Sequence, residues 1–380
     1  MISSIPSATE WDVAVVGAGP AGAFAARQCA RNGLRTLLLD GKRFPRDKIC
    51  GGCLNPRAVA LLRQSGLSHI LTQIGGIAVN RWCVVSQRRS LDMDLPEGIA
   101  ISRRLLDQQL VDAAVAAGVS FLPEATAVVE PHNGDPFRTL SLTQGSASRP
   151  VTASLVLIAD GLLRSSLKLL PEFSSKISAR SRIGAGATIE DSSDSYPSGQ
   201  ITMACSRDGY VGVTRIENRR LNLAAALDPR AVKSSPSIAD LARRILEDAG
   251  CPVPEALTSS NWHGTPMLTS RPGAIAGERM FLIGDSAGYI EPFTGEGMAL
   301  AFESASAVIP LIIRGAAQWD SRLVAEWSQR HRSAANRKQW VCHVVAAMLR
   351  SPLMMSVAYH GCRLFPAIPR YLISRVCDRG

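Results

Sequence analysis

The segment Trp11–Asp40, WDVAVVGAGPAGAFAARQCARNGLRTLLLD, constrains the fold of this 380-residue chain more than any other stretch. An apolar run meets three glycines with the spacing GxGxxG, and a helix of small residues and a second apolar run follow. This order of strand, tight turn, helix and strand is typical of a dinucleotide-binding unit. We therefore predict an α/β fold with a Rossmann-type domain and a parallel sheet.

Each residue type in this unit has a mechanical role. Gly17 allows a sharp turn off the strand, Gly19 allows the backbone to approach a pyrophosphate, and Gly22 allows the helix to pack closely on the sheet. The N–H groups at the helix start then face the phosphates, while the carboxylate that closes the second strand accepts hydrogen bonds from a ribose. The predicted nucleotide-binding residues here are Gly17, Gly19, Pro20, Ala21, Gly22 and Asp40.

Composition narrows the class of protein. An apolar content of 46% and a charged content of 19% are ordinary for a soluble globular chain. The net charge is +10, and the last 61 residues hold ten Lys or Arg against three Asp or Glu. Nine irregularly spaced cysteines do not resemble a disulfide framework, and no uncharged apolar run reaches the roughly 18 residues of a membrane span. We expect a cytoplasmic protein.

Two later segments also end apolar runs in an acid. Asp160 closes SLVLIAD, and Gly284 and Asp285 close MFLIGD. Acids at the carboxyl ends of parallel strands point into the ligand crevice, and Asp285 is suited to hold a ribityl hydroxyl. Gly295 and Gly297 would present N–H groups at a helix start, where negative charge on a ring is stabilised.

The loop after Asp40 combines basic residues and thiols. Arg43, Arg46 and Lys48 are candidates to bind phosphate or a substrate carboxylate, or are simply solvated charges. Cys50 and Cys53 form a CxxC that could be redox active, or could be two small residues in a tight loop. No second ligand pair at zinc spacing follows, so we predict no metal site.

The remaining patterns predict the domain organisation. Hairpin-like runs and a β-rich stretch from Gly184 to Leu227 indicate an antiparallel sheet that roofs the substrate site. The predicted domains are a discontinuous nucleotide-binding domain at 1–78, 99–182 and 265–318, a β-rich substrate domain at 79–98 and 183–264, and a helical C-terminal segment at 319–380. That basic, aromatic segment either caps the fold or makes peripheral contact with a membrane surface. No nucleic-acid motif is present.

With these residues assembled, the chain resembles the FAD-dependent aromatic hydroxylase superfamily, typified by p-hydroxybenzoate hydroxylase, and within it the geranylgeranyl reductase group. The resemblance spans roughly Asp12 to Ile312. It is carried by GAGPAG with an acid after it, ISRRLLD, ADG, GDSAGYIEPFTGEGM and FPRDKICGGCLNPRA. The cofactor implied is FAD, reduced by NAD(P)H or another external reductant, since no second complete GxGxxG marks a separate NADPH domain.

The resemblance also implies roles for particular residues. Pro292 would lie beside the flavin ring, and the amides of Gly295 and Gly297 would stabilise the reduced flavin. Independently of the resemblance, Arg46 and Lys48 are candidates for substrate orientation or electrostatics. The implied cofactor contacts outside the first unit are Arg103, Asp160, Gly284, Asp285, Gly295, Glu296, Gly297 and Met298. Departures are Arg164 in place of the family's serine, and a strand at Gly209–Ile216 without the Trp and Pro of the reductases and halogenases.

Three functions follow from these patterns. The first is a monooxygenase-type hydroxylase that acts on an apolar aromatic or polyketide-like small molecule through a flavin hydroperoxide. The alternatives are a geranylgeranyl reductase-like enzyme that saturates isoprenoid double bonds, and a non-catalytic flavin electron-relay protein. All three require FAD, and the first two require a hydrophobic small-molecule substrate.

Overall fold

A computed structural model describes residues 11–289, 291 and 296–333. The strands are β1 (Trp11–Val16), β2 (Thr36–Asp40), β3 (Cys53–Leu54), β4 (Ile77–Ser86), β5 (Arg89–Ala100), β6 (Ser120–Pro123), β7 (Ala125–Val129), β8 (Arg138–Gln144), β9 (Ala147–Ile158), β10 (Ser175–Ile177), β11 (Ile183–Glu190), β12 (Gln200–Ser206), β13 (Gly209–Ile216), β14 (Arg220–Leu227), β15 (His263–Met267), β16 (Ser270–Pro272), β17 (Ala276–Gly277) and β18 (Met280–Leu282). The helices are α1 (Pro20–Arg31), α2 (Pro56–Gln64), α3 (Ser68–Gln73), α4 (Arg103–Ala116), α5 (Pro229–Ser234), α6 (Ile238–Ala249) and α7 (Gly297–Ala317).

The first sheet is built around β1. Six of its eight strands follow the order β17-β18-β9-β1-β2-β6, in which every neighbouring pair except β17 with β18 is parallel. The other two extend from β9, where β8 pairs antiparallel with β9 and β7 pairs antiparallel with β8. Residues 13–16 of β1 are buried, as expected for a central strand covered on both faces. In the register of β1 with its neighbours, Val16 lies opposite Leu39 and Ile158. The turns that follow β1, β2 and β9 therefore meet at one edge of the sheet.

Helices α1 and α7 cover one face of this sheet together. The small residues of α1 let α7 approach closely, and the rings of Phe24 and Phe302 lie 5.3 Å apart between them. By length and composition alone α7 could cross a membrane, although its sequence includes Glu303 and Arg314. In the structure α7 packs on α1, α2 and β9, with ten of its residues buried. It serves there as a core helix.

The second sheet has the order β15-β11-β14-β13-β12-β4-β5-β3. All its neighbours are antiparallel except β4 with β12. Helix α6 lies on one face through Leu241, Ile245 and Leu246, and Ser237 caps its start. The predicted fold class, a Rossmann-type domain with a parallel sheet plus an antiparallel β domain and helices toward the C-terminus, is confirmed.

Sheet membership crosses the predicted domain limits at two places. The short strand β3 pairs with β5 of the second sheet, although it lies in the predicted range 1–78. Strand β15 pairs with β11 and runs past the predicted limit at residue 264. The domain ranges themselves stay a prediction.

The start of the C-terminal segment packs on the first sheet. The chain is helical at 322–333, and the rings of Trp319 and Trp327 lie 5.9 and 6.4 Å from that of Phe281 in β18. Trp327 is buried and donates its indole N–H to the carbonyl of Leu282. The rest of the basic segment, for which membrane contact is predicted, lies outside the described residues.

Candidate active site

A cavity of about 1480 Å³ opens where the carboxyl ends of the parallel strands face the second sheet. Both sheets line it, as do α7 and the loop between β2 and β3. Small-molecule pockets usually span about 300 to 1,000 Å³, so this cavity has room for more than one ordinary ligand. Its volume suits a dinucleotide together with a substrate.

The glycine turn after β1 is sterically fixed. Gly17 has φ +100°, and a Cβ on it would collide with the backbone carbonyl of Ala159 after β9. A Cβ on Gly22 would collide with the carbonyl oxygen of Gly17. Because no side chain caps α1 at Gly19, the first N–H groups of the helix stay open to the cavity, as an anion site requires.

Two guanidinium groups face this helix start. The nearest atoms to the open side of Gly19 are Nη2 of Arg103 and Nη2 of Arg46, at 3.7 and 3.8 Å from the place of a Cβ. The carboxylate of Asp107, which is fully buried, accepts from Arg103 at 2.7 and 2.8 Å and pairs with Arg46 at 3.2 Å. Asp107 also raises the pKa of Arg103 despite its burial. Two fixed positive charges therefore lie where a pyrophosphate would need them.

Asp40 lies beside the same turn and lines the cavity. One of its oxygens accepts from the N–H of Ala18 at 2.9 Å and from Arg46 at 3.3 Å, and the other accepts from the N–H of Lys42 at 2.9 Å. Arg46, predicted to orient the substrate, thus lies at the nucleotide end of the cavity. Its place favours a phosphate-binding role.

Asp160 holds two turns together. Its carboxylate accepts from the N–H and the hydroxyl of Ser166 at 3.0 and 2.7 Å, and from the hydroxyl of Ser286 at 3.2 Å. Burial raises the pKa of Asp160, and these hydrogen bonds oppose the shift. Ser166, two positions after Arg164, is therefore the serine of this turn that binds Asp160.

Arg164, the departure from the family pattern, is buried and has φ +47°. Its guanidinium donates to the carbonyl of Ser286 at 2.6 Å, to the hydroxyl of Ser270 at 3.3 Å and to the hydroxyl of Ser175. It joins the turn after β9 to the strands β10 and β16 and to the turn at Gly284–Ala287. Arg164 is thus a structural anchor under the cavity.

Lys48 and Asp285 line the middle of the cavity. Burial lowers the pKa of Lys48, and its neighbours Arg103 and Arg46 lower it further. Burial raises the pKa of Asp285, while the charges of Arg103, Lys48 and Arg164 oppose that shift.

Part of the predicted flavin-ring site lies outside the described residues, namely Pro292 and Gly295. Gly297 and Met298 begin α7 and line the cavity. The carboxylate of Glu296 is buried and pairs with Arg57 of α2 at 3.1 Å. Glu296 therefore ties the start of α7 to α2.

The two thiols of the CxxC are not bonded to each other. Cys50 lines the cavity within hydrogen-bonding reach of Arg103, whereas the Cys53 thiol donates to the carbonyl of Gly51 at 3.4 Å. Burial raises the pKa of Cys53 to about 12. A thiol that stays protonated is a poor partner for disulfide exchange.

Sequence reasoning did not find the polar group at the far end of the cavity. Tyr210 and Tyr289 line the wall there, and burial raises the pKa of each. The Tyr210 hydroxyl donates to Glu291, whose buried carboxylate pairs with Arg182 at 3.0 Å. Tyr210, Gly212 and Thr214 alternate along β13 and all face the cavity, so the period of two could have indicated them.

The residues present fit FAD. The glycine turn leaves an open cradle at a helix start, two arginines face it, and the cavity continues to a second wall. Within the described residues, no cluster of three or more His, Cys, Asp or Glu could hold a metal ion.

Comparison with known proteins agrees with this geometry. Residues 10–337 match the model of a family described as FAD binding domain. A menaquinone reductase of Mycobacterium tuberculosis is 31% identical over 313 residues, covering 77% of this chain and 74% of that protein. A digeranylgeranylglycerophospholipid reductase of Methanosphaera stadtmanae is 22% identical and covers 78% and 75%.

A solved flavoprotein/dehydrogenase from Cytophaga hutchinsonii has the same fold. Its TM-score is 0.82 at 18% sequence identity, and the match covers 97% of this chain and 93% of that one. The predicted cofactor and enzyme class are confirmed, because the matching family is an FAD-binding one and the curated relative is named as a reductase. The chain belongs to the FAD binding domain family and is an FAD-dependent oxidoreductase.

Proposed function

We propose that this enzyme reduces a carbon–carbon double bond in the isoprenoid chain of a lipid. The observation that carries the proposal is the long apolar wall on the roof of the cavity. A compact pocket with a polar end would instead favour the hydroxylation of a small aromatic substrate.

The apolar wall is one face of the β4–β5 hairpin. Trp82 lies opposite Met93 and Val84 lies opposite Leu91, and all four side chains line the cavity. At about 3.3 Å per residue, the apolar lining positions from Leu91 to Leu95 of β5 extend this face over roughly 13 Å. Ile201, Met203, Leu162, Leu163 and Leu268 add apolar surface from neighbouring elements. A branched hydrocarbon chain would bury its surface along such a wall at about 25 cal/mol per Å².

The comparisons support this choice of substrate. Both curated relatives are named as reductases, and both named substrates, a menaquinone and a digeranylgeranyl phospholipid, are lipids with isoprenoid chains. They differ in head group. The difference in head group favours an enzyme that recognises the isoprenoid chain of its substrate, and the apolar wall is the surface that would contact this chain.

The chemistry requires a hydride for one alkene carbon and a proton for the other. Bound FAD, reduced by NAD(P)H or another external reductant, supplies the hydride. Tyr289 lies in the segment predicted to approach the flavin ring and lines the cavity, and its phenol Oη carries a proton at neutral pH, as an ordinary tyrosine does. We assign the proton to Tyr289. The Tyr210 hydroxyl is already engaged with Glu291.

An anaerobic single-turnover assay tests the reaction. The FAD-loaded protein is reduced with dithionite and mixed with menaquinone or a geranylgeranyl lipid, and the products are measured by mass spectrometry. The proposal expects oxidised flavin and a product that has gained two hydrogens. A product that gains oxygen, formed only in air, would establish the hydroxylase instead. Flavin that stays reduced with both lipids would favour the electron-relay protein.

A further inference from the structure

A buried ion pair at the far end of the cavity takes no part in the proposed reaction. Nη1 of Arg182 lies 3.0 Å from Oε1 of Glu291, and the two side chains are 5% and 2% exposed. Arg182 directly precedes β11 of the second sheet, whereas Glu291 follows β18 of the first sheet in the chain. The pair therefore joins the roof of the cavity to the segment that carries Tyr289.

Main-chain hydrogen bonds connect Tyr289 to the same pair. The N–H of Tyr289 donates to the carbonyl of Ser270 and its carbonyl accepts from the N–H of Ser270, each at 3.0 Å. Two positions before Ser270, the N–H of Leu268 donates to the carbonyl of Arg182 at 2.9 Å. Glu291 lies two positions after Tyr289, and its side chain returns to Arg182. These contacts form a closed loop that includes Tyr289 and begins and ends at Arg182.

Tyr210 of β13 contacts both members of the ion pair. The guanidinium carbon of Arg182 lies 5.4 Å from the centroid of the Tyr210 ring, and the Tyr210 hydroxyl donates to Glu291. Tyr289 packs against the apolar cluster that contains Tyr210 and Leu268. Burial raises the pKa of Tyr289, and nearby charges, Glu291 among them, raise it further. The side chains of Tyr210, Tyr289 and Glu291 therefore lie in one buried group.

We propose that Arg182 and Glu291 are positioning residues, which hold the Tyr289 hydroxyl at one place in the cavity wall. A purely stabilising role is the weaker account, because desolvation of two buried charges offsets most of their attraction. A fixed hydroxyl matters for proton transfer, since a misplacement of about 1 Å at a reacting group can lower a rate about 100-fold. The inference rests on the proposed function for the chemical role of Tyr289, whereas the position of the hydroxyl is independent of the reaction.

NMR spectroscopy of the FAD-loaded full chain, with tyrosine isotope-labelled at Cζ, tests the position of the hydroxyl without turnover. The sequence has five tyrosines, and the signal of Tyr289 is identified by its loss in Tyr289→Phe. Combining Arg182→Met with Glu291→Leu removes both charges and leaves neither buried alone. We expect the single Tyr289 signal to broaden or split in this double variant, and to change less in Arg182→Lys, which keeps the charge. A single signal as sharp as that of the wild type in the double variant would overturn the inference.

Kinetics with an isoprenoid lipid give a second readout, with a matched control pair in the same sheet. Arg215 and Asp191 form a buried pair at 2.8 Å, and neither lines this cavity. We expect the Arg182 and Glu291 double variant to lower kcat roughly 10- to 100-fold with KM nearly unchanged. Arg215→Met with Asp191→Leu should lower the melting temperature and leave kcat and the Tyr289 signal as in the wild type.

Equal losses of kcat in the two double variants would assign the Arg182 and Glu291 pair to stability alone and would overturn the inference. If the wild type reduces no lipid, the proposed function fails, while the NMR signal of Tyr289 still decides whether the pair positions its hydroxyl.

Discussion

At the scale of single residues, Gly17 is the most constrained position in the site. We expect Gly17→Ala to abolish FAD binding and to lower stability by several kcal/mol, since the added Cβ meets the backbone after β9 and φ is +100°. Gly33→Ala is the matched control, because Gly33 has φ +81° with nothing within 4 Å of its Cβ position. It should cost only about 1 kcal/mol and leave FAD binding intact. Thermal melts and flavin absorbance measure both effects, and equal losses in the two variants would contradict this account.

A substitution of Tyr289 tests the proposed proton transfer separately from folding and flavin reduction. Tyr289→Phe should lower kcat for double-bond reduction on the order of 10²-fold, because a protonated group at the cavity wall is lost while the flavin is still reduced normally. Tyr196→Phe is the control: Tyr196 is also buried with a raised pKa, but it donates to the carbonyl of Pro252 away from this cavity. Stopped-flow absorbance resolves flavin reduction from reoxidation. Normal reoxidation in Tyr289→Phe would remove the assigned proton donor.

The sequence predicted the position of a residue where neighbouring residues in the chain determine its backbone conformation. The placement of Gly17 and Gly22 follows from backbone geometry that a few neighbouring residues determine. Asp107 was missed because its importance comes from two arginines that converge on it, one of them 61 positions earlier in the chain. Ion pairs of that kind depend on tertiary contacts, which spacing does not encode.

At the scale of elements, Arg164 stands where the family carries a serine. Its longer side chain connects four segments of the chain. Arg164→Ala should weaken FAD binding about tenfold or more and lower the melting temperature, because several buried hydrogen bonds to the Gly284–Ala287 turn and its neighbours are lost. Arg164→Lys keeps the charge but not the planar fork, and we expect an intermediate loss. FAD titration by fluorescence gives the affinities. An Arg164→Ala affinity equal to wild type would mean that the turn is held without it.

The helix at 322–333 carries a pH-dependent contact. His331 packs against Trp327, with ring centroids 6.0 Å apart, and burial lowers its pKa below the ordinary 6.5. Below pH 6.5 the unfolded chain therefore binds this proton more readily than the folded chain, and stability decreases as pH falls through that range. Melting temperatures at pH 7.5 and 5.5 should differ less for His331→Gln than for the wild type. An unchanged difference would assign the pH dependence to other groups.

Element-scale prediction from the sequence was strongest for the first sheet. The continuous apolar run of β1 and the small-residue helix after it admit few alternatives, and the structure has both. The parallel contact between β4 and β12 was not predicted, since it joins strands more than a hundred residues apart. That contact places the β4–β5 hairpin over the cavity. The position of the apolar wall, on which the proposed function depends, therefore could not be predicted from local sequence patterns.

At the scale of the whole molecule, we expect the apolar wall to make KM depend on the length of the substrate's isoprenoid chain. Val84 lines the cavity between Trp82 and Ser86. The larger ring of Val84→Phe would therefore occupy part of the cavity beside the apolar wall, without changing any polar group. We expect KM to rise severalfold for a long isoprenoid chain and to change little for a short one, with kcat for the short chain retained. The reason is steric: a bulky ring in the middle of the wall blocks the far units of a long chain.

The comparison of two substrates within one variant is its own control, because misfolding would lower the activity on both. Trp82→Ala provides the opposite change and should weaken binding of the long chain through loss of buried contact. If both variants change short and long substrates equally, the chain does not run along β4 and β5. In that case we would expect the cavity to bind a compact substrate, and hydroxylation would be the better-supported function.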